Sequence, residues 1–217
     1  MKTDEDLKRD VEAELKWSPD INEIDIAVKV NGGAVALSGF VHTYFEKYRA
    51  EDAVKRVAGV IGVANDIAVR AAADDGVQDP EITRAAVAAL KSELPISADN
   101  LKVFVRDGHV TLEGKVEWNY QRDSAERAVR RVRGVTTVYN DILIAPRVQP
   151  VAVKRKIEEA FRRSAEVDAS HITVTATDGT VILKGKVRNW SERTQAQNTA
   201  WSAPGVREVR NEIVIGT

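Results

Sequence analysis

Three histidines and no cysteine are all the imidazole and thiol chemistry that 217 residues carry. Without cysteine there is no thiolate nucleophile, no disulfide framework and no thiolate metal site. His42, His109 and His171 never fall in the spacing that sets two imidazoles on one helix face, so no metal is expected. No Gly-rich phosphate loop, dinucleotide fingerprint or nucleophile elbow occurs. No catalytic residue and no cofactor are therefore expected, and the chain reads as no enzyme. Only a carboxylate pair stays open, because 33 Asp and Glu are present.

The remaining groups bind rather than react. They are four tryptophans and 32 Lys and Arg. The formal charge of −1 is a cancellation: −5 over 1–75, 0 over 76–146 and +4 over 147–217. That balance argues against a nucleic-acid partner at the level of the whole chain. The basic residues cluster in two places. Arg122, Arg127, Arg130, Arg131 and Arg133 form one group, and Lys154, Arg155, Lys156, Arg162 and Arg163 the other. Interleaved Asp123, Glu126, Glu158 and Glu159 allow a plain solvated helix face. The alternative is attraction to an anionic lipid surface, worth about 1 kcal/mol per basic residue.

What must position these groups is a threefold repeat. A shift of 75 residues, then of a further 71, superposes Asn31–Val41, Arg106–Val116 and Thr177–Val187 without a gap. Each segment carries a Gly-containing turn, then Val-x-Leu-x-Gly-x-Val. The same shifts superpose Gly59, Gly134 and Gly205, and then Val63–Ile67, Val138–Ile142 and Val209–Ile213. Three homologous units follow, over 1–71, 79–146 and 149–217. The linker at 70–78 reads as loose, and the one at 146–150 as short and stiffened by two prolines.

Each unit opens with apolar residues four apart: Leu7, Val11, Leu15; Ile82, Ala86, Leu90; Val153, Ile157, Phe161. That is one face of an amphipathic helix. Asp79-Pro80 reads as the N-cap and first residue of the second of these helices. Alternating runs such as Val28, Val30 and Val35, Leu37 flank a turn, which reads as a β-hairpin. A further helix is expected over about 44–58, 119–133 and 190–203, by the helix-start and helix-stop signals at its ends. Thr43 with Glu46, and Asn189 with Glu192, have capping-box spacing there. A last strand closes the unit. The fold class is α+β: three tandem α-β-β-α-β units, each a three-stranded mixed sheet packed against two helices.

Residues common to all three units serve the fold. Gly39, Gly114 and Gly185 mark a bulge or close backbone approach. Gly59, Gly134 and Gly205 follow a helix end. Asn65, Asn140 and Asn211 bond a turn or a strand edge. The histidines share no position and read as surface. Every tryptophan stands where another unit carries a polar residue, so none is needed for the common core. They are buried in domain or subunit contacts, or they anchor the chain at a headgroup layer. Gly59–Gly62 imitates an RNA-clamping loop, but it occurs once and in the wrong element order.

The α-β-β-α-β order, the Asp-Gly-x-Val-x-Leu-x-Gly-x-Val turn and strand, and the Gly-Val-x-x-Val-x-Asn-x-Ile finish resemble the BON domain family. The resemblance covers nearly the whole chain, three times over. It implies a non-enzymatic module of stress or osmotic response that binds phospholipid or a membrane surface. The candidate binding residues are Trp118, Trp190, Trp201, Arg122, Arg130, Arg131, Lys154, Arg155, Arg162 and Arg163. The alternative is a protein-interaction or assembly module. There the tryptophans make the contacts, and acidic unit 1 meets basic unit 3 of another copy. The N-terminus shows no apolar leader, which reads as cytoplasmic. The resemblance implies the periplasm instead, if a leader has been removed.

Overall fold

The structure is a computed structural model that describes residues 2–70, 76–146, 152–164 and 171–216. Three units of the same element order follow one another. The first holds α1 (Asp4–Trp17), β1 (Ile26–Asn31), β2 (Ala34–Val41), α2 (Tyr44–Arg56) and β3 (Gly62–Val69). The second holds α3 (Asp79–Glu93), β4 (Leu101–Arg106), β5 (His109–Val116), α4 (Asn119–Arg130) and β6 (Thr137–Ile144). The third holds α5 (Val153–Arg163), β7 (Ile172–Thr177), β8 (Thr180–Val187), α6 (Trp190–Trp201) and β9 (Glu208–Ile215). By compactness the chain divides into Met1–Gly114 with Ser124–Asp141, and Lys115–Asp123 with Ile142–Thr217. The linker at 146–150 lies outside the described residues apart from Pro146, as does most of the one at 70–78.

Each sheet is three-stranded, in the orders β1-β2-β3, β4-β5-β6 and β7-β8-β9. The sheet is mixed because a tight turn forces its first two strands antiparallel, while a helical crossover brings the last one back parallel. Thus Val28 faces Leu37 across the antiparallel pair, and Leu37 faces Asn65 across the parallel one. Val174, Leu183 and Asn211 repeat that row in the third unit. Leu7, Val11 and Leu15 of α1 are buried, as are Ile82, Ala86 and Leu90 of α3 and Val153, Ile157 and Phe161 of α5. They share the interior with alternate strand residues such as Val35, Leu37 and Ile67. The helices after β2, β5 and β8 end at Arg56, Arg130 and Trp201, short of the limits their sequences imply. The residues just beyond form the turn that leads to Gly59, Gly134 and Gly205, each at positive φ.

One local expectation is corrected and one is extended. Gln78, not Asp79, is the N-cap of α3. The carboxylate of Asp79 reaches across to the β4–β5 turn instead, and accepts from the N–H of Asp107 (2.8 Å) and of Gly108 (3.0 Å). The shared asparagine bonds the edge strand as expected, since the Ile67 N–H donates to Asn65 Oδ1 (3.3 Å) and the Ile213 N–H to Asn211 Oδ1 (3.2 Å), and it reaches a helix as well. Asn65 donates through Nδ2 to the Lys47 carbonyl (3.1 Å) and to Glu51 Oε2 (3.2 Å) on α2, so it staples strand to helix. Asn211 makes the same reach to the Arg193 carbonyl (3.3 Å) and to Gln197 (2.9 Å) on α6.

The glycine inside β2, β5 and β8 lets the first strand approach. A Cβ on Gly114 would stand 2.2 Å from the Asn100 carbonyl oxygen, and φ there is +136°. Gly114→Ala is expected to cost about 2 kcal/mol or more in urea unfolding, because it adds both a clash and a left-handed strain. Gly62→Ala is the control. Nothing lies within 4 Å of its Cβ position, and the change should be neutral or slightly stabilising.

Candidate functional site

The two basic clusters behave differently. Arg130 and Arg131, at and just beyond the end of α4, face aromatic residues of α2. The Arg130 guanidinium carbon sits 3.8 Å from the Tyr48 ring centroid, and that of Arg131 5.2 Å from Phe45. Arg130 is also ion-paired with Glu126, and its side chain is only 14 % exposed. Together with Asp20, Arg49 and Arg127 these residues line a cleft of about 330 Å³. Arg49 is held in it between Asp20 (3.4 Å) and Asp52 (3.5 Å). Arg127 donates to Ser124 Oγ at 2.7 Å. The cleft is cationic and aromatic, but most of its charge is already engaged.

The groups around it are shifted by their surroundings. Burial pushes the Tyr44 hydroxyl above its usual range, and the Arg130 charge pulls it part of the way back. Burial also works to raise Glu51. The hydrogen bond from Lys55 Nζ (2.5 Å) and the Lys55 charge outweigh it, and the carboxyl lies below its usual range.

The second cluster lies open. Lys154, Arg155, Lys156, Arg162 and Arg163 are all exposed on α5, while Val153, Ile157 and Phe161 turn inward. Among the described residues Glu158 and Glu159 oppose them, at 3.7 Å from Lys154 and 3.8 Å from Arg155. Contacts of that length between exposed side chains are weak and easily exchanged. Arg122 is half-buried and takes part in contacts of its own.

The tryptophans separate as well. Trp201 is half-buried and packs against the core of the third unit, so one tryptophan does serve a core. The end of α6 lies over that core, to which Ala196 and Ala200 also belong. Trp190 is half-buried beneath the Arg193 guanidinium, 5.2 Å from its ring centroid. Burial lowers the pKa of Arg193. Trp118 is half-buried, and its backbone N–H donates to Gln121 Oε1 at 3.0 Å. The exposed one is Trp17, at 84 %, which was not among the candidate binding residues. All three histidines are exposed. Among the described residues no group of His, Asp and Glu could hold a metal ion.

The family model described as "BON domain" matches residues 3–71, 78–146 and 151–217. The chain belongs to the BON domain family. It is 34 % identical over 136 residues to osmotically-inducible protein Y of Escherichia coli (strain K12), a match spanning 61 % of this chain and 68 % of that one. It is 24 % identical over 165 residues to outer membrane lipoprotein DolP of Haemophilus influenzae, spanning 70 % of this chain and 84 % of that one. A solved structure, the C-terminal domain of CdsD from the type III secretion system of Chlamydia trachomatis, covers 98 % of each chain. Its 16 % identity and TM-score of 0.27 carry no weight. Among the described residues of this BON protein, no helix is long and apolar enough to cross a membrane.

The α2 partners of Arg130 and Arg131 were missed in the sequence, although a signal existed. Tyr44, Phe45 and Tyr48 gather on α2, whereas the repeat places only polar Asp123 and Thr194 at the position of Tyr48. A double-mutant cycle of Tyr48→Ala and Arg130→Ala should return a coupling of about 0.5–2 kcal/mol in urea unfolding. A coupling of zero would mean that the stacked pair contributes nothing.

Proposed function

We propose that this BON protein is a non-catalytic binding protein of the bacterial envelope that attaches peripherally to anionic phospholipid. The observation that carries this reading is α5, an eleven-residue helix with five exposed basic side chains on an apolar, buried back. Near an acidic leaflet each basic residue is worth about 1 kcal/mol. The similarity to an outer membrane lipoprotein and to an osmotically inducible protein supports the envelope and an osmotic-stress setting. Neither relative supports the cytoplasm. Each repeat is taken as one domain, with limits 1–71, 79–146 and 149–217. The working binding residues are Lys154, Arg155, Arg162 and Arg163. Arg130, Arg131, Trp190 and Trp201 act first in holding their own surroundings.

Vesicles of phosphatidylcholine with and without phosphatidylglycerol test this by co-sedimentation. Binding should require the anionic lipid and fall steeply between low and physiological salt, as Debye screening shortens. Arg162→Glu with Arg163→Glu should lower affinity by roughly 30-fold or more, at about 1 kcal/mol per residue lost. Equal binding to both vesicle types, or none, sinks the reading. The second reading, self-association, draws on Trp17 and Ile24, which are 84 % and 81 % exposed in the acidic first unit. Sedimentation velocity over a concentration series separates the two. Growth in mass that Trp17→Ser abolishes would favour assembly.

A further inference from the structure

The three hairpin turns share one backbone shape. Residues 32 and 33, 107 and 108, and 178 and 179 all have positive φ: 56° and 81°, 52° and 75°, 48° and 82°. Two successive residues of this kind turn their N–H groups to the same side and form a small anion-binding concavity. In the first unit Asp4 occupies it. Gly32 N–H donates to Asp4 Oδ2 at 2.8 Å, and Gly33 N–H to Oδ1 at 3.2 Å. In the second unit Asp79 does the same to Asp107 and Gly108, at 2.8 and 3.0 Å. Each carboxylate uses both oxygens on two adjacent amides.

The third unit breaks the pattern. The 71-residue shift puts Pro150 where Asp79 stands, and proline has no carboxylate to offer. Among the described residues nothing accepts from the N–H of Asp178 or Gly179. The first helical turn also changes sign. α1 starts with Asp4, Glu5 and Asp6, and α3 with Asp79 and Glu81, but α5 has no acidic residue in its first turn. Lys154, Arg155 and Lys156 stand there instead. Finally, Arg207 takes the place of Ile61 and Thr136. It lies against the turn, since a Cβ on Gly179 would meet its Cγ and Nε at 3.3 Å.

We propose that the β7–β8 turn, through the N–H groups of Asp178 and Gly179 with Arg207 beside them, binds a phosphate group. A carboxylate would spend both oxygens on the two amides, as Asp4 and Asp79 do. A phosphate has a further oxygen for the guanidinium, and a guanidinium binds phosphate oxygens in pairs. Two carboxylates stand nearby, and neither blocks the site. Asp107 fills the place of Asp178 in the second unit, and the Asp79 carboxylate still docks there. Glu208 accepts from Arg210 Nε at 2.8 Å and from Thr180 Oγ1 at 3.3 Å. The site deepens the lipid reading by naming the group held. It rests on that reading only for the source of the phosphate, which is a lipid headgroup or a free phosphate.

The test is a ¹H–¹⁵N spectrum of the full chain titrated with inorganic phosphate, then with phosphatidylglycerol vesicles. The amides of Asp178 and Gly179 should move saturably with inorganic phosphate, while those of Gly33 and Gly108 stay still. Arg207→Thr, the residue of the second unit, should weaken the effect at least tenfold. No shift at Asp178 and Gly179, equal shifts at Gly33 and Gly108, or undiminished binding by Arg207→Thr would overturn the site. Vesicle binding that persists without these shifts overturns the site and leaves the lipid reading standing. Shifts with phosphate but no vesicle binding support the site and assign it to free phosphate.

Discussion

A small three-stranded sheet has one face it must hide from water, and everything else in this protein depends on hiding it. Units of about 60 residues bury only some 60 % of their unfolded surface, so little stability is left over. The first helix of each unit therefore has to land on the sheet with Leu7, Val11 and Leu15, or their counterparts, facing inward. In two units the landing is fixed by a carboxylate at the helix start that grips the far hairpin turn. In all three, a glycine lets the first strand come within contact of the second. The asparagine staple ties the last strand to the other helix. Geometry leaves few sites where a side chain is free to do anything else.

Those sites are where the repeats differ. The first two units bind their own carboxylates at the hairpin turn, and the third offers two amides and an arginine there. α4 passes its terminal arginines to Tyr48 and Phe45, whereas α5 leaves its basic residues open to water. A charged side chain stacked on an aromatic ring and paired with a glutamate has already exchanged its water for protein. It has less to offer a headgroup than a solvated one. The acidic-to-basic gradient along the chain thus becomes a difference in availability as well as in sign.

The fold was almost wholly legible in the residues. Apolar positions four apart, alternation across the hairpin and the thrice-repeated glycine and asparagine leave little freedom for an α-β-β-α-β unit. The candidate site was legible only in part. Sequence could locate Arg130 and Trp201, but a helix position says nothing of what lies across from it. Tyr48 is 82 residues from Arg130, and no local pattern links them. Trp201 was read as dispensable to the core because its counterparts are Lys55 and Arg130, yet it packs on a core of its own unit. Its neighbours, not its alignment, decide its burial.

Sequence by itself determined the number of units, the order and type of their elements, the buried helix faces and the absence of thiol chemistry. These follow from periodicity and composition, which are local or repeated signals. Tertiary structure alone decided the rest: that Asp79 grips a turn instead of capping its helix, that Asn65 reaches a helix as well as its own strand edge, and which basic residues stay in solvent. Each of these is a contact between residues distant in the chain. Its energy depends on separation and burial in three dimensions, and residue type alone sets neither.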